Sequence, residues 1–131
     1  MAYEKHVLTM TFPAGGDLSA SSNLYKFVEI STSGTVTVCN GATDRPLGVL
    51  QSLGTTGQAV AVCMLGISKV QADADLAIGD LIGTSADGQA DAKTVSTDAT
   101  EYVVGVCIEN TSAAADFTTC TINCMNPHRA A

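Results

Sequence analysis

Short runs of alternating apolar and polar residues, broken by small polar turns, are the dominant pattern of this chain. From His6 to Phe12, Leu8, Met10 and Phe12 recur every second position and so fall on one side of an extended segment. Leu24 to Ile30 follows the same rule, with Tyr25 and Phe27 on one side and Val28 and Ile30 on the other. Thr35 to Cys39 alternates threonine outward with valine inward, and Asn40-Gly41 then supplies a tight turn. Gln58 to Met64 is apolar on both sides, which predicts a strand covered on both faces, with Leu65-Gly66 as a kink and Ile67 to Gln71 as its continuation. Asp87-Gly88 is a second hairpin signal, placed between a short strand at 80–83 and a weak return strand at 90–95. The intervening Ala72 to Asp80 could start a short helix but reads better as a loop, and Phe117 to Met125 reads as a closing strand.

Two stretches stand at the centre of this pattern. Leu47-Gly48-Val49-Leu50 is echoed by Val104-Gly105-Val106-Cys107, each with a glycine among apolar residues and each followed by a loop and another apolar run. They read as the starts of two hairpins, with the glycine admitting a close neighbour, either as a duplicated sheet unit or as a coincidence of common β patterns. Strands near every tenth residue, with no sustained helical period, predict an all-β fold, a small β-sandwich or a β-tulip or barrel-like domain. The domain is placed at residues 23–126, after an extended N-terminal arm at 1–22 and before a C-terminal tail at 127–131. Residues 6–12 read equally well as the first strand of the sheet, and both descriptions hold if the arm pairs with a neighbouring subunit.

Composition narrows the function classes. A chain of 131 residues suits one domain. Hydrophobic residues make up 46% but aromatic residues only 5%, so the core is expected to be built from small aliphatic side chains. Charged residues, at 15%, are scarce enough to suggest burial against further copies of the chain. The net charge of −7, with six scattered Lys and Arg residues, argues against nucleic acid and against anionic membranes as partners. No apolar run approaches the roughly 20 residues of a membrane-spanning helix. The start of the chain lacks the basic and apolar regions of a signal peptide, so synthesis in the cytoplasm is expected.

Candidate chemistry is sparse. The five cysteines, Cys39, Cys63, Cys107, Cys120 and Cys124, sit at apolar positions in or at the end of strands and read as buried free thiols. Cys120 and Cys124 would lie about 13 Å apart along one strand, too far to bridge each other. His6 and His128 stand at opposite ends of the chain, so no metal site is expected. Asp73 and Asp75 lack the glycine and glutamate spacing of a calcium loop, and Gly15-Gly16 lacks the lysine and helix of a phosphate loop. The chain is therefore expected not to be an enzyme and to need no cofactor.

The order of the β elements carries a resemblance. Asp44-Arg45-Pro46-Leu47-Gly48-Val49-Leu50-Gln51, then Gly57 to Val62, Gly66 to Val70, Ile78-Gly79-Asp80-Leu81-Ile82, Asp87-Gly88-Gln89-Ala90 and Val103 to Glu109 resemble the capsid cement, or head decoration, proteins of tailed bacteriophages. The resemblance spans about residues 44–124; the cysteines and the Ala-Asp-Ala-Asp loop depart from the common pattern. It implies a homo-oligomer, a trimer in most such proteins, made in the bacterial host and carried on the outside of the virion's capsid. The partner it implies is the major capsid protein, whose neighbouring subunits it would lock together. The arm would make the contact through Leu8, Met10 and Phe12, with Tyr3 and Arg45 as lesser contributors. The competing reading is a β binding module of a tail fibre that recognises a receptor or carbohydrate, against which the low aromatic content argues.

Overall fold

The computed structural model describes residues 4–131. Eleven strands form: β1 (Lys5–Pro13), β2 (Phe27–Ile30), β3 (Val36–Val38), β4 (Gly48–Leu50), β5 (Ala59–Gln71), β6 (Leu81–Thr84), β7 (Ala90–Ala92), β8 (Tyr102–Val103), β9 (Gly105–Cys107), β10 (Phe117–Asn123) and β11 (His128–Arg129). A single 3-10 turn at Ser21–Asn23 is the helical element among the described residues. Nine strands make one sheet in the order β3-β2-β4-β5-β10-β9-β6-β7, with β1 attached to β5. The sheet curls strongly into a half-barrel, so the domain is all-β and barrel-like.

The 13-residue β5 is the spine. Val62 and Cys63 each pair with both β1 and β4, and Gly66 and Ile67 with both β1 and β10. β1 therefore takes one edge of β5, while β4 and β10 divide the other. The Leu65-Gly66 kink expected from the sequence does not interrupt the strand, because the backbone of Gly66 is held between β1 and β10.

The two echoed stretches become β4 and β9, each an antiparallel partner of the long strand that follows it. Their glycines are dictated by close approach. A Cβ on Gly48 would stand 2.4 Å from the Cys63 carbonyl oxygen, and one on Gly105 would stand 1.9 Å from that of Thr121. Both distances are well inside contact range, so only glycine lets these strands lie against their neighbours.

Successive residues of a strand face opposite ways, and this chain buries both faces. Phe27, Val49 and Val70 enter one core with Ile82, Val104, Cys107, Cys120 and Ile122. Their neighbours Val28 and Leu50 enter a second core with Val36, Val60 and Val62, closed by Ala14 and Leu18. The segment set apart in the sequence as an arm is thus built into the domain along much of its length. β1 satisfies the edge of β5, and Ala14 and Leu18 are 1% and 4% exposed. Phe12 also packs against this second core. The C-terminal tail is likewise docked. β11 pairs with β8, Ala130 is buried, and the Arg129 guanidinium lies 5.4 Å from the centre of the Tyr102 ring.

All five cysteines are free and buried. Burial pushes the Cys39 thiol up to about 12 and raises Cys63, Cys120 and Cys124 as well. Because the thiolate is the reactive form, iodoacetamide at mildly alkaline pH should label none of the five in the native protein. All five should react after unfolding in guanidinium, a difference that mass spectrometry reads directly.

Candidate functional site

β1 is an edge strand whose outer side carries no strand partner among the described residues. An edge of this kind presents unpaired N–H and C=O groups that can template another strand. Proline, which blunts such edges, occurs here only at the last position, Pro13. The register shifts between His6 and Leu8 and again between Leu8 and Thr9. That irregularity breaks the period-two pattern on which Leu8, Met10 and Phe12 were grouped. Leu8 and Phe12 are half-buried, whereas Met10 is 48% and Val7 72% exposed. Val7, not singled out in the sequence, is thus the most exposed large apolar side chain of the strand, and the bulge that displays it has no sequence signal. Beside it, the His6 Nδ1 lies 3.2 Å from the Thr9 hydroxyl and the His6 Nε2 3.9 Å from the Glu4 carboxylate.

Arg45 is not part of that edge. It is exposed in the loop before β4, on a shallow groove of about 350 Å³ that it shares with Glu29, Ile30, Leu47, Met125 and Pro127. Ile30 and Met125 are exposed apolar residues. Tyr3 lies outside the described residues.

Next to the Arg45 groove, donor atoms of Glu29, Cys39 and Asp44 lie within 4.8 Å of one another. The Asp44 carboxylate accepts the backbone N–H groups of Asn40 (3.0 Å) and Gly41 (2.9 Å), which fixes the turn predicted at Asn40-Gly41. Burial, and then the negative charge of Asp44, raise the Glu29 carboxyl. Glu29 and Cys39 therefore hold their protons more readily than isolated groups would. A carboxyl raised in the folded state favours folding while protonated, and that contribution is lost as pH rises through its folded value. Glu29→Gln should accordingly raise the melting temperature slightly at neutral pH, with the gain disappearing below about pH 4 where glutamate is protonated in either state. Differential scanning calorimetry across that range measures it.

A second polar arrangement lies inside the sheet. The Lys93 side chain is fully buried, and its ammonium donates to the Thr84 carbonyl (2.8 Å), to Asp91 (3.0 Å) and to Glu101. Burial alone would lower the ammonium, but hydrogen bonds to Glu101 and Asp91 and their charges outweigh it, and the group is held above its usual range. In the sequence Lys93 is one scattered cation in a weak strand, and nothing there distinguishes it. This is a buried ion cluster that ties β6 and β7 to the chain before β8.

No helix among the described residues is long and apolar enough to cross a membrane. The fold is similar to that of a bacteriophage head fibre base. The crystal structure of the head fibre gp8.5 N base of bacteriophage phi29 superimposes with a TM-score of 0.65 at 20% sequence identity, covering 89% of this chain and 94% of that one. No protein-family model matches the sequence, and no curated protein matches it.

Proposed function

We propose that this chain is a structural protein of a phage virion that binds the outside of the head and bridges neighbouring subunits of the major capsid protein. The observation that carries this reading is the likeness to the phi29 head fibre base over nearly the full length of both chains. The order of glycine-centred β elements from Asp44 to Glu109 supports it independently. The attachment element is the open edge of β1 with Val7 and Met10. Strand addition at this edge supplies main-chain hydrogen bonds, and the exposed apolar side chains supply contact area. Repetition of a modest contact around a closed shell, or within a trimer of this chain, multiplies into firm retention. A net charge of −7 keeps the protein from associating with DNA.

Because β1 and residues 14–18 complete the domain, deleting the segment would damage the fold as well as the attachment. Point substitutions separate the two. Val7→Glu with Met10→Glu should weaken retention on phage heads at least about tenfold. The melting temperature should change little, as surface substitutions usually stay within about 0.5 kcal/mol. Cosedimentation of the purified protein with heads measures retention, and equal retention of the variant would remove β1 from the contact.

A further inference from the structure

An open groove of about 660 Å³ is lined by Lys69, Glu109, Asn110, Ser112, Asp116 and Phe117 among others. Lys69 pairs with Thr119 and Gln71 with Phe117, so Lys69 and Phe117 are diagonal neighbours on one face of the β5–β10 pair. The Phe117 ring meets the Tyr25 ring edge to face, with centroids 5.5 Å apart at 86°, and the Lys69 ammonium lies 5.6 Å from the centre of the Tyr25 ring. Phe117 is nevertheless 47% exposed. An edge-to-face pair leaves a ring face available for a further apolar surface.

The surroundings of this aromatic pair are fixed in advance. Tyr25 has φ of +66°, a conformation that costs a bulky residue energy and persists only when neighbours enforce it. Backbone and side-chain hydrogen bonds enforce it. Leu50 accepts the Tyr25 N–H (2.9 Å), and the Gln71 N–H donates to the Tyr25 carbonyl (3.0 Å). The Gln71 side-chain amide donates to the carbonyls of Ser22 and Leu24. Ala115, next to Asp116 of the lining, has the same φ of +66°, and its N–H donates to the Ala72 carbonyl. The Asp116 carbonyl accepts the Ala72 N–H (2.8 Å), and the Asn110 side-chain oxygen accepts the Ile78 N–H (2.8 Å), leaving its amide nitrogen as a donor. Among the described residues, two of the three non-glycine positions with positive φ thus adjoin residues that line this groove.

We propose that this groove binds a saccharide. The mixture of groups selects that class. Glu109 and Asp116 disfavour an anion, and Lys69 disfavours a cation. A ring rich in hydroxyl groups is both donor and acceptor, and so matches an ammonium, an amide nitrogen, hydroxyls and carboxylates together. Its apolar C–H face suits the exposed ring of Phe117. The scarcity of aromatic residues, which argued against sugar stacking, is offset by the convergence of Tyr25 and Phe117 from positions 92 residues apart (117 − 25).

The test uses the intact chain on an array of bacterial surface polysaccharides, and maltotriose and chitotriose titrations followed by amide NMR shifts. Binding on at least one of these is expected, with shifts confined to Lys69, residues 109–112 and residues 116–117. Phe117→Ala should weaken it at least about tenfold. Asp116→Asn, which keeps the ring and removes only a charge, should weaken it severalfold without altering the melting temperature. Absence of binding on both platforms, or retention of binding within twofold in Phe117→Ala, overturns the proposal. A change of oligomeric state in Phe117→Ala by analytical ultracentrifugation, with no loss of a sugar signal, also overturns it and makes the groove a subunit contact.

Discussion

Lys93→Met lowers the stability of the domain by about 3 kcal/mol, as expected when one partner of a buried, hydrogen-bonded ion cluster is removed. Methionine fills much of the same space, so the loss comes from what is left behind. The Thr84 carbonyl loses its donor, and Glu101, whose side chain is 19% exposed, loses its counter-charge. Asp91, at 38% exposure, recovers hydration and contributes less. The double variant Lys93→Met with Glu101→Met removes both charges and should be more stable than Lys93→Met alone, a coupling that a double-mutant cycle in urea measures. The pH dependence has a definite sign. The Lys93 ammonium is raised in the folded state. Its stabilisation is therefore complete below the unfolded lysine value of about 10.4 and is lost as pH rises through the higher folded value. Wild type and Lys93→Met should converge in stability only in strongly alkaline solution.

Gly105→Ala has an effect of similar size from a different cause. The added Cβ would sit 1.9 Å from the Thr121 carbonyl oxygen, an atom of the partner strand's backbone that cannot swing aside as a side-chain tip can. Relief requires β9 and β10 to separate at the pairing of Gly105 with Ile122. Overpacking of this kind costs about 3 kcal/mol. Gly48→Ala, with its Cβ at 2.4 Å from the Cys63 carbonyl, should behave alike. Gly16→Ala is the control, because its Cβ would meet nothing closer than the Thr37 methyl at 3.9 Å and the change should be nearly neutral. Melting temperatures of the three variants, set beside the wild type, separate close approach from a general intolerance of substitution.

The elements visible in the sequence are those fixed by local chemistry. Period-two alternation located β2 and β3, apolar runs located β5 and β10, and Asp87-Gly88 marked the β6–β7 hairpin. The echo of Gly48 in Gly105 was legible because both glycines answer the same demand, a carbonyl of the next strand at close range. What depends on distant pairing was not legible. Whether residues 5–18 hang free or join the sheet is decided by the vacant edge of β5 and by the uncovered face of Val28, Leu50 and Val62, and neither is a property of the segment itself. The splitting of residues 102–109 into β8 and β9 follows from the return of His128 and Arg129 to pair with β8. The Lys93 cluster, the Glu29–Cys39–Asp44 group and the Tyr25–Phe117 pair each join residues from separate strands or loops, and no spacing rule reports them.

The proposed attachment at β1 draws on the same physics. Both faces of the sheet are largely buried, and β1 is an edge with exposed apolar side chains, Val7 and Met10. The location of the protein on virions is the most direct measurement. Antibody raised against the purified chain and coupled to gold should label the outer surface of intact phage heads, with the chain present in those virions by mass spectrometry. Label confined to tails, or virions that lack the chain, would contradict a head-binding role.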